Sequence, residues 1–380
     1  MKTLINPERL AADFVLLCET DSPSREEGRI AALLHEMFAR LGADEILEDG
    51  SREATGSDSG NLIIRFAGKP DLEPIFLNCH MDTVEPGRGV RVKRVSDTFY
   101  SSGETILGSD DKSGIVAILE AIRCVREGNL DHRPLEVILT TCEEIGLLGA
   151  KNLDPAMIRA RMGYALDSTG FGTIITGAPA ANKLHITIRG VAAHAGLHPE
   201  WGVNAIQLAA QALNAAPMGR IDEESSVNFG TIKGGTATNI VPDQVTIDGE
   251  VRSHSPATLD RLTWQVENAF AQAVNAWDDP AGQAKGKPEL IFTAIDDFPA
   301  MRLADNEPVI GLIARAAAAI SLPLEYKIAG GGSDANIFNG LGLRTAIVAT
   351  GMSAVHSLDE HVTLQDMVDL TRLLIALITG

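Results

Sequence analysis

Apolar positions recur at helical spacing over residues 9–18 and again at Ile30, Leu33, Leu34 and Phe38, with Asp21-Ser22-Pro23-Ser24 as a turn between them. The pattern predicts a helix with a break across residues 7–41, and Ser24 with Glu26 and Glu27 has the form of a helix start. Residues 49–60, rich in Gly, Ser, Asp and Glu, read as a hairpin loop. Short apolar runs at 75–78, 135–141, 162–166 and 345–349 then have the length of strands. Between and after them, residues 112–126, 308–320 and 364–378 carry stripes at helical period. Strands alternating with helices predict an α/β domain with a mostly parallel sheet and helices on both faces.

The rhythm changes over residues 179–297. Residues 183–189 alternate, with Leu184, Ile186 and Ile188 on one face and His185 and Thr187 on the other. An Ala-rich helix (204–213), strands at 227–233 and 244–253, a long helix (257–277), a polar linker (278–287) and a strand at 290–294 follow. Strand-helix-strand-strand-helix-strand is the split βαβ order. The expectation is a ferredoxin-like α+β domain, residues 179–297, inserted into an α/β domain made of residues 1–178 and 298–380. No internal repeat or low-complexity tract interrupts this plan.

Composition narrows the classes. The chain has 380 residues, 45% hydrophobic and 22% charged, which excludes disorder, collagen and coiled coil. Lys plus Arg is 32 against 51 for Asp plus Glu, a formal charge of −19, which argues against nucleic acid or an anionic membrane as partner. Cys18, Cys79, Cys124 and Cys142 have no CxxC spacing and read as buried free thiols of a reducing cytoplasm. Residues 1–9 break into charge too early for a signal peptide. No uncharged apolar run reaches the ~18 residues a bilayer requires. A cytoplasmic, soluble protein is expected.

Where the acids and histidines fall is the informative feature. The run at 75–79 is followed at once by His80-Met81-Asp82, the run at 137–142 by Glu143-Glu144, and the run at 162–166 by Asp167. Residues 346–349 lead through a short loop to His356, and Asp110-Asp111 precede the helix near Lys112. Open parallel sheets place their sites beyond the carboxyl ends of the strands, so five segments bring His, Asp or Glu to one edge. Taken singly, each is also what a turn, a helix cap or a solvated loop would carry. Together, clustered acids repel unless cations hold them. Oxygen and imidazole donors without thiolate suit Zn²⁺ first, with Co²⁺ or Mn²⁺ accepting the same set. Three ligand carboxylates, two divalent ions and a bridging hydroxide sum to zero charge. Glu143 would then remain free as a general base, and Asp82 is spaced to accept the other ring N–H of His80.

Four motifs in this order, His80-Met81-Asp82-Thr83-Val84, residues 107–114 (Leu-Gly-Ser-Asp-Asp-Lys-Ser-Gly), Thr141-Cys142-Glu143-Glu144-Ile145-Gly146 and His356-Ser357-Leu358-Asp359-Glu360, resemble metallopeptidase family M20, nearest to its peptidase T-like branch. The resemblance spans nearly the whole chain. It implies that Asp110 bridges two metals, that His80 and Asp167 complete one and Glu144 and His356 the other, that Glu143 is the base, and that Asp82 is the partner that orients His80. It further implies a lid and dimerisation role for residues 179–297, with His194, Asn239 and Arg252 contacting substrate, and a homodimer formed through that domain. Gly331 and Gly332 lie in a glycine loop, residues 330–334, that lets substrate backbone approach or makes a tight turn. This loop follows no strand with GxGxxG spacing, which rules out a nucleotide reading. Gly330 stands where tripeptide aminopeptidases of this branch carry an arginine. The implied activity is hydrolysis of an amide bond in a small peptide through a metal-bridging water, as an exopeptidase or aminopeptidase. A deacylase of N-acyl amino acids or a dipeptidase on the same scaffold, and a catalytically silent peptide-binding homologue, are the alternatives.

Overall fold

A computed structural model describes residues 4–380; residues 1–3, the first part of the charged N-terminus, lie outside the described residues. The chain divides into two compact units. One takes the described residues up to Gly177 together with Arg302–Ala329 and Ser333–Gly380; the other takes Ala178–Met301 and Gly330–Gly332.

The first unit is built on a nine-stranded sheet. Its order is Glu45–Glu48, Leu62–Phe66, Leu135–Thr140, Ile75–His80, Met162–Ala165, Arg344–Thr350, Phe171–Ala178 and Met301–Arg302, with Glu325–Ile328 also pairing Phe171–Ala178. The centre is parallel: Ile75–His80 runs parallel to Leu135–Thr140 and to Met162–Ala165, which runs parallel to Arg344–Thr350. Antiparallel pairs flank it, Leu62–Phe66 on one side and Phe171–Ala178 on the other. Every position of Ile75–His80 and of Leu135–Thr140 is buried, the reason both read as continuous apolar runs rather than as alternation. In this register His80 lies opposite Thr140 and Asn78 opposite Ala165, so the parallel strands end side by side.

Helix Ser109–Glu127 packs on strand Ile75–His80, on helix Leu364–Thr379 and on helix Pro7–Cys18. Its first turn is irregular, with Asp110 and Asp111 outside helical φ/ψ, so regular helix begins at the Lys112 that the apolar stripe indicates. The second N-terminal helix starts at Gly28, not at Ser24. The polar residues that looked like its cap are used elsewhere: Ser24 Oγ donates to Asp82, Glu26 pairs with Arg88, and buried Glu27 accepts from the Cys142 N–H. The loop at 49–60 does join an antiparallel pair, and holds one helical turn, Arg52–Thr55. All four cysteines are free and buried, and all lie in this unit.

The second unit is a five-stranded antiparallel sheet in the order Gly219–Asp222, Ser225–Gly234, Gln244–Ser253, Ala180–Arg189 and Glu289–Phe298. Helices Ala205–Ala215 and Pro256–Asn275 pack on it. Asn204 caps the first by accepting from the Gln207 N–H at 3.1 Å, and Ser255 caps the second through the Thr258 N–H at 3.3 Å, with Pro256 at the first helical position. Leu184, Ile186 and Ile188 from the alternating strand form one core with Leu208, Leu262, Val266 and Phe270. The short strand Gly219–Asp222 is an addition to the split βαβ order.

Candidate metal centre

Strand geometry brings the chemistry together. His80 is the last residue of its strand and is 2% exposed. Its Nε2 lies 3.0 Å from Asp110 Oδ1. His356 reaches the other oxygen of the same carboxylate, with Nε2 3.2 Å from Asp110 Oδ2 and 3.1 Å from Glu144 Oε1. One aspartate therefore faces two imidazoles, one at each oxygen. His80, Asp110 and Glu144 each offer a ligand atom, all within 4.8 Å of one another. Asp167, just past strand Met162–Ala165, falls outside that tight set but shares its field.

Asp82 does something other than its spacing suggests. The acceptor 2.9 Å from His80 Nδ1 is the Asp82 backbone carbonyl, with the carboxylate Oδ1 at 3.5 Å. The carboxylate instead accepts from the Glu143 N–H (2.9 Å), the Glu144 N–H (3.3 Å) and Ser24 Oγ (2.6 Å). It thus fixes the loop after strand Leu135–Thr140 that carries both glutamates, while the carbonyl fixes the imidazole.

The electrostatics are those of a cation site. Burial pushes the Glu143 carboxyl well above the usual carboxylate range, and the charges of Asp167, Asp334 and Glu144 push the same way. Burial likewise raises Glu144, against the pull of His356. Asp167 is pushed up to about 8 by burial and by Asp110 and Glu144. At Asp110, burial would raise the carboxyl, but hydrogen bonds with His356 and His80 override it and hold it low. Four mutually repelling carboxyls with two imidazoles and no thiolate form a donor set that fits divalent cations of the Zn²⁺, Co²⁺ or Mn²⁺ type.

Two buried acids at this centre carry no role in the sequence reading. Asp334, at the start of helix Asp334–Gly340, is pushed up to about 6 by burial, against the hydrogen bond from Thr140. Glu360 lies within the His356 motif, and its burial is the signal that only the fold supplies.

The remaining expected residues belong to the second unit. His194 is exposed, and its Nδ1 accepts from the Gly196 N–H at 3.2 Å. Asn239 is beside it, its carbonyl accepting from the Ala195 N–H at 2.9 Å. Arg252 is half-buried, bonded to Glu250 at 3.0 Å and to the Gly330 carbonyl at 3.5 Å. A Cβ on Gly331 would lie 3.7 Å from the Arg252 guanidinium, and one on Gly332 would come within 2.4 Å of the Phe298 ring, so at Gly332 the close approach requires glycine.

A sheet whose parallel strand ends gather histidines and carboxylates around one shared aspartate defines a metal-dependent hydrolase. Comparison with known proteins gives the particular kind. Residues 177–278 match the family model of the M20 peptidase dimerisation domain, and residues 61–199 match that of peptidase family M28. An uncharacterised Bacillus subtilis protein, YqjE, is 39% identical over 99% of both chains. The crystal structure of aminopeptidase PepT from Bacillus cereus superposes with a TM-score of 0.89 at 38% identity, covering 99% of each chain. A tripeptidase from Staphylococcus aureus superposes with a TM-score of 0.92 at 31% identity, over 99% of this chain and 98% of that one. The chain belongs to the M20 family of metallopeptidases, in its peptidase T-like branch, and is a metal-dependent peptidase.

Proposed function

We propose that this peptidase is an aminopeptidase of small peptides that works with two divalent ions, Zn²⁺ first among the candidates. The observation that carries the reading is Asp110, whose two oxygens meet two imidazoles from segments far apart in sequence. In this reading His80 and Asp167 would hold one ion, Glu144 and His356 the other, and Asp110 would serve both. When bound, the ions polarise the scissile carbonyl and lower the pKa of a coordinated water. Glu143 is the general base: its carboxylate takes a proton from the attacking water and returns it to the leaving amine. Asp82 holds Glu143 in place through the backbone.

Residues of the second unit bind the substrate. His194 donates to the substrate carbonyl, Asn239 and Arg252 hold its backbone or carboxylate, and the backbone at Gly331 and Gly332 lies alongside. The match of residues 177–278 to a dimerisation domain supports a homodimer formed through the lid. Four buried thiols with no disulfide support a cytoplasmic location. The PepT and tripeptidase likenesses favour peptides over N-acyl amino acids as substrates.

The test is metal analysis together with a panel of di- and tripeptides, with and without chelator. Wild-type protein should bind two ions per chain and lose turnover on chelation. Glu143→Gln should keep its metal and lose about a thousandfold in kcat. Near wild-type kcat in that variant removes Glu143 as the base, and a metal-loaded wild type inert on every amide removes the peptidase reading of the site.

A further inference from the structure

The side chain of Glu360 is 1% exposed and takes no part in the proposed ligand set. Its four hydrogen-bond donors all come from one short segment, residues 107–110. Oε2 accepts from the Leu107 N–H at 2.7 Å and the Gly108 N–H at 2.9 Å; Oε1 accepts from Ser109 Oγ at 2.6 Å and the Asp110 N–H at 3.1 Å. The segment presents these donors together because Gly108 has φ 79°, a left-handed conformation that suits glycine, and because Asp110 leaves the helical backbone.

At its other end Glu360 anchors the loop that carries His356. That loop is closed at its base, where Ser353 and His361 exchange backbone hydrogen bonds of 2.9 and 3.0 Å, and the Glu360 N–H bonds the Ser357 carbonyl at 3.2 Å. Ser357 Oγ closes the tip on the Ala354 carbonyl at 2.6 Å. His361–Thr363 then pairs with strand Thr98–Ser101. The loop is therefore a short, internally bonded unit, and Glu360 is its fastening to the Asp110 segment.

A cap for the start of helix Ser109–Glu127 needs only a neutral acceptor. A carboxylate here adds another buried negative charge beside Asp110 and Asp111, which folding alone does not favour. Charge-assisted bonds are shorter and stiffer than neutral ones, and four of them set a distance. We propose that Glu360 is a positioning residue for the metal centre: it fixes the separation of Asp110 and His356 and so pre-forms the half of the site that those two residues share. It touches neither substrate nor reacting atoms, and it acts through Asp110 and His356.

This inference rests on the di-metal reading, and metal binding to the whole protein separates the two. Glu360→Gln keeps one acceptor oxygen and turns an amide NH₂ toward donors. The expected result, by calorimetric titration of metal-free protein with Zn²⁺, is a first ion bound as in wild type and a second bound about 10–100-fold more weakly. At saturating Zn²⁺, kcat returns to about the wild-type value with KM unchanged. Ser109→Ala removes one donor, leaves the acid, and tests the same link without disturbing the loop; it should weaken the second ion about 3–10-fold. A lower melting temperature with both Zn²⁺ affinities intact in these variants makes Glu360 a fold residue only and overturns the proposal. Wild-type protein that saturates at one Zn²⁺ per chain overturns the di-metal reading, and with it this one, before any variant is made.

Discussion

The carboxylate of Asp82 serves the glutamate loop more directly than the imidazole two residues before it. It receives the N–H groups of Glu143 and Glu144 and the hydroxyl of Ser24, and leaves the His80 ring to its own carbonyl. Asp82→Ala should therefore act on the base rather than on the first metal ligand. The expected outcome is a fall of about 10–100-fold in kcat with little change in KM, and with the metal content of wild type. Steady-state kinetics on a turned-over peptide, paired with metal analysis, checks it; loss of an ion in the variant would return Asp82 to the ring of His80.

Between elements, one buried carboxylate joins the N-terminal helix to the central one. Glu120, inside helix Ser109–Glu127, is bonded by Arg9 at 2.8 Å, by Arg123 at 3.0 Å and by the Asn6 N–H at 2.9 Å. Burial would raise its pKa, but those donors override burial and lower it. The sign follows from proton counting. The folded state holds fewer protons, so the contribution is full above the unfolded value of ~4.3 and fades as pH falls through the folded one. Glu120→Gln should cost about 2 kcal/mol at neutral pH, less than a fully dry pair because Arg9 is partly exposed. In urea unfolding, the gap between variant and wild type should close below pH ~4. A gap that stays constant with pH would assign the loss to packing.

Element existence was largely readable, because strands Ile75–His80 and Leu135–Thr140 are wholly buried and mostly apolar and helix Leu364–Thr379 is striped. Strand Leu62–Phe66 was missed although every residue in it is buried; Arg65 breaks its apolar run, and its ion pairs with Glu136 and Glu45, on the strands to either side, explain a buried arginine there. The small sheet of Val92–Val95, Thr98–Ser101 and His361–Thr363 was invisible for a different reason. Its strands are three or four residues long, Val92–Val95 and Thr98–Ser101 carry few apolar residues, and the third strand, His361–Thr363, joins them from far along the chain. In the site, His80, Glu143, Glu144 and Asp167 are legible as candidates because each follows an apolar run. Glu360 and Asp334 were not assigned roles, since burial of an acid comes from tertiary packing and has no local pattern.

At the scale of the molecule, all the proposed metal ligands lie in the first unit, while the second has a core of its own. Ligands that bind only the folded state stabilise by mass action, about 4 kcal/mol at a thousandfold excess over Kd. Scanning calorimetry with and without chelator should therefore show one transition that moves down by several degrees on metal removal and another that stays. A single transition that shifts as a whole would mean that the two units unfold together.

The distribution of sulfur has a practical corollary. Cys18, Cys79, Cys124 and Cys142 are all shut inside the first unit, where burial raises every thiol, Cys124 to about 12. A neutral, inaccessible thiol is a poor nucleophile, so alkylating reagents find nothing to modify on the intact enzyme. Any label that a sample acquires records the moments when that unit opens, and leaves the second unit silent.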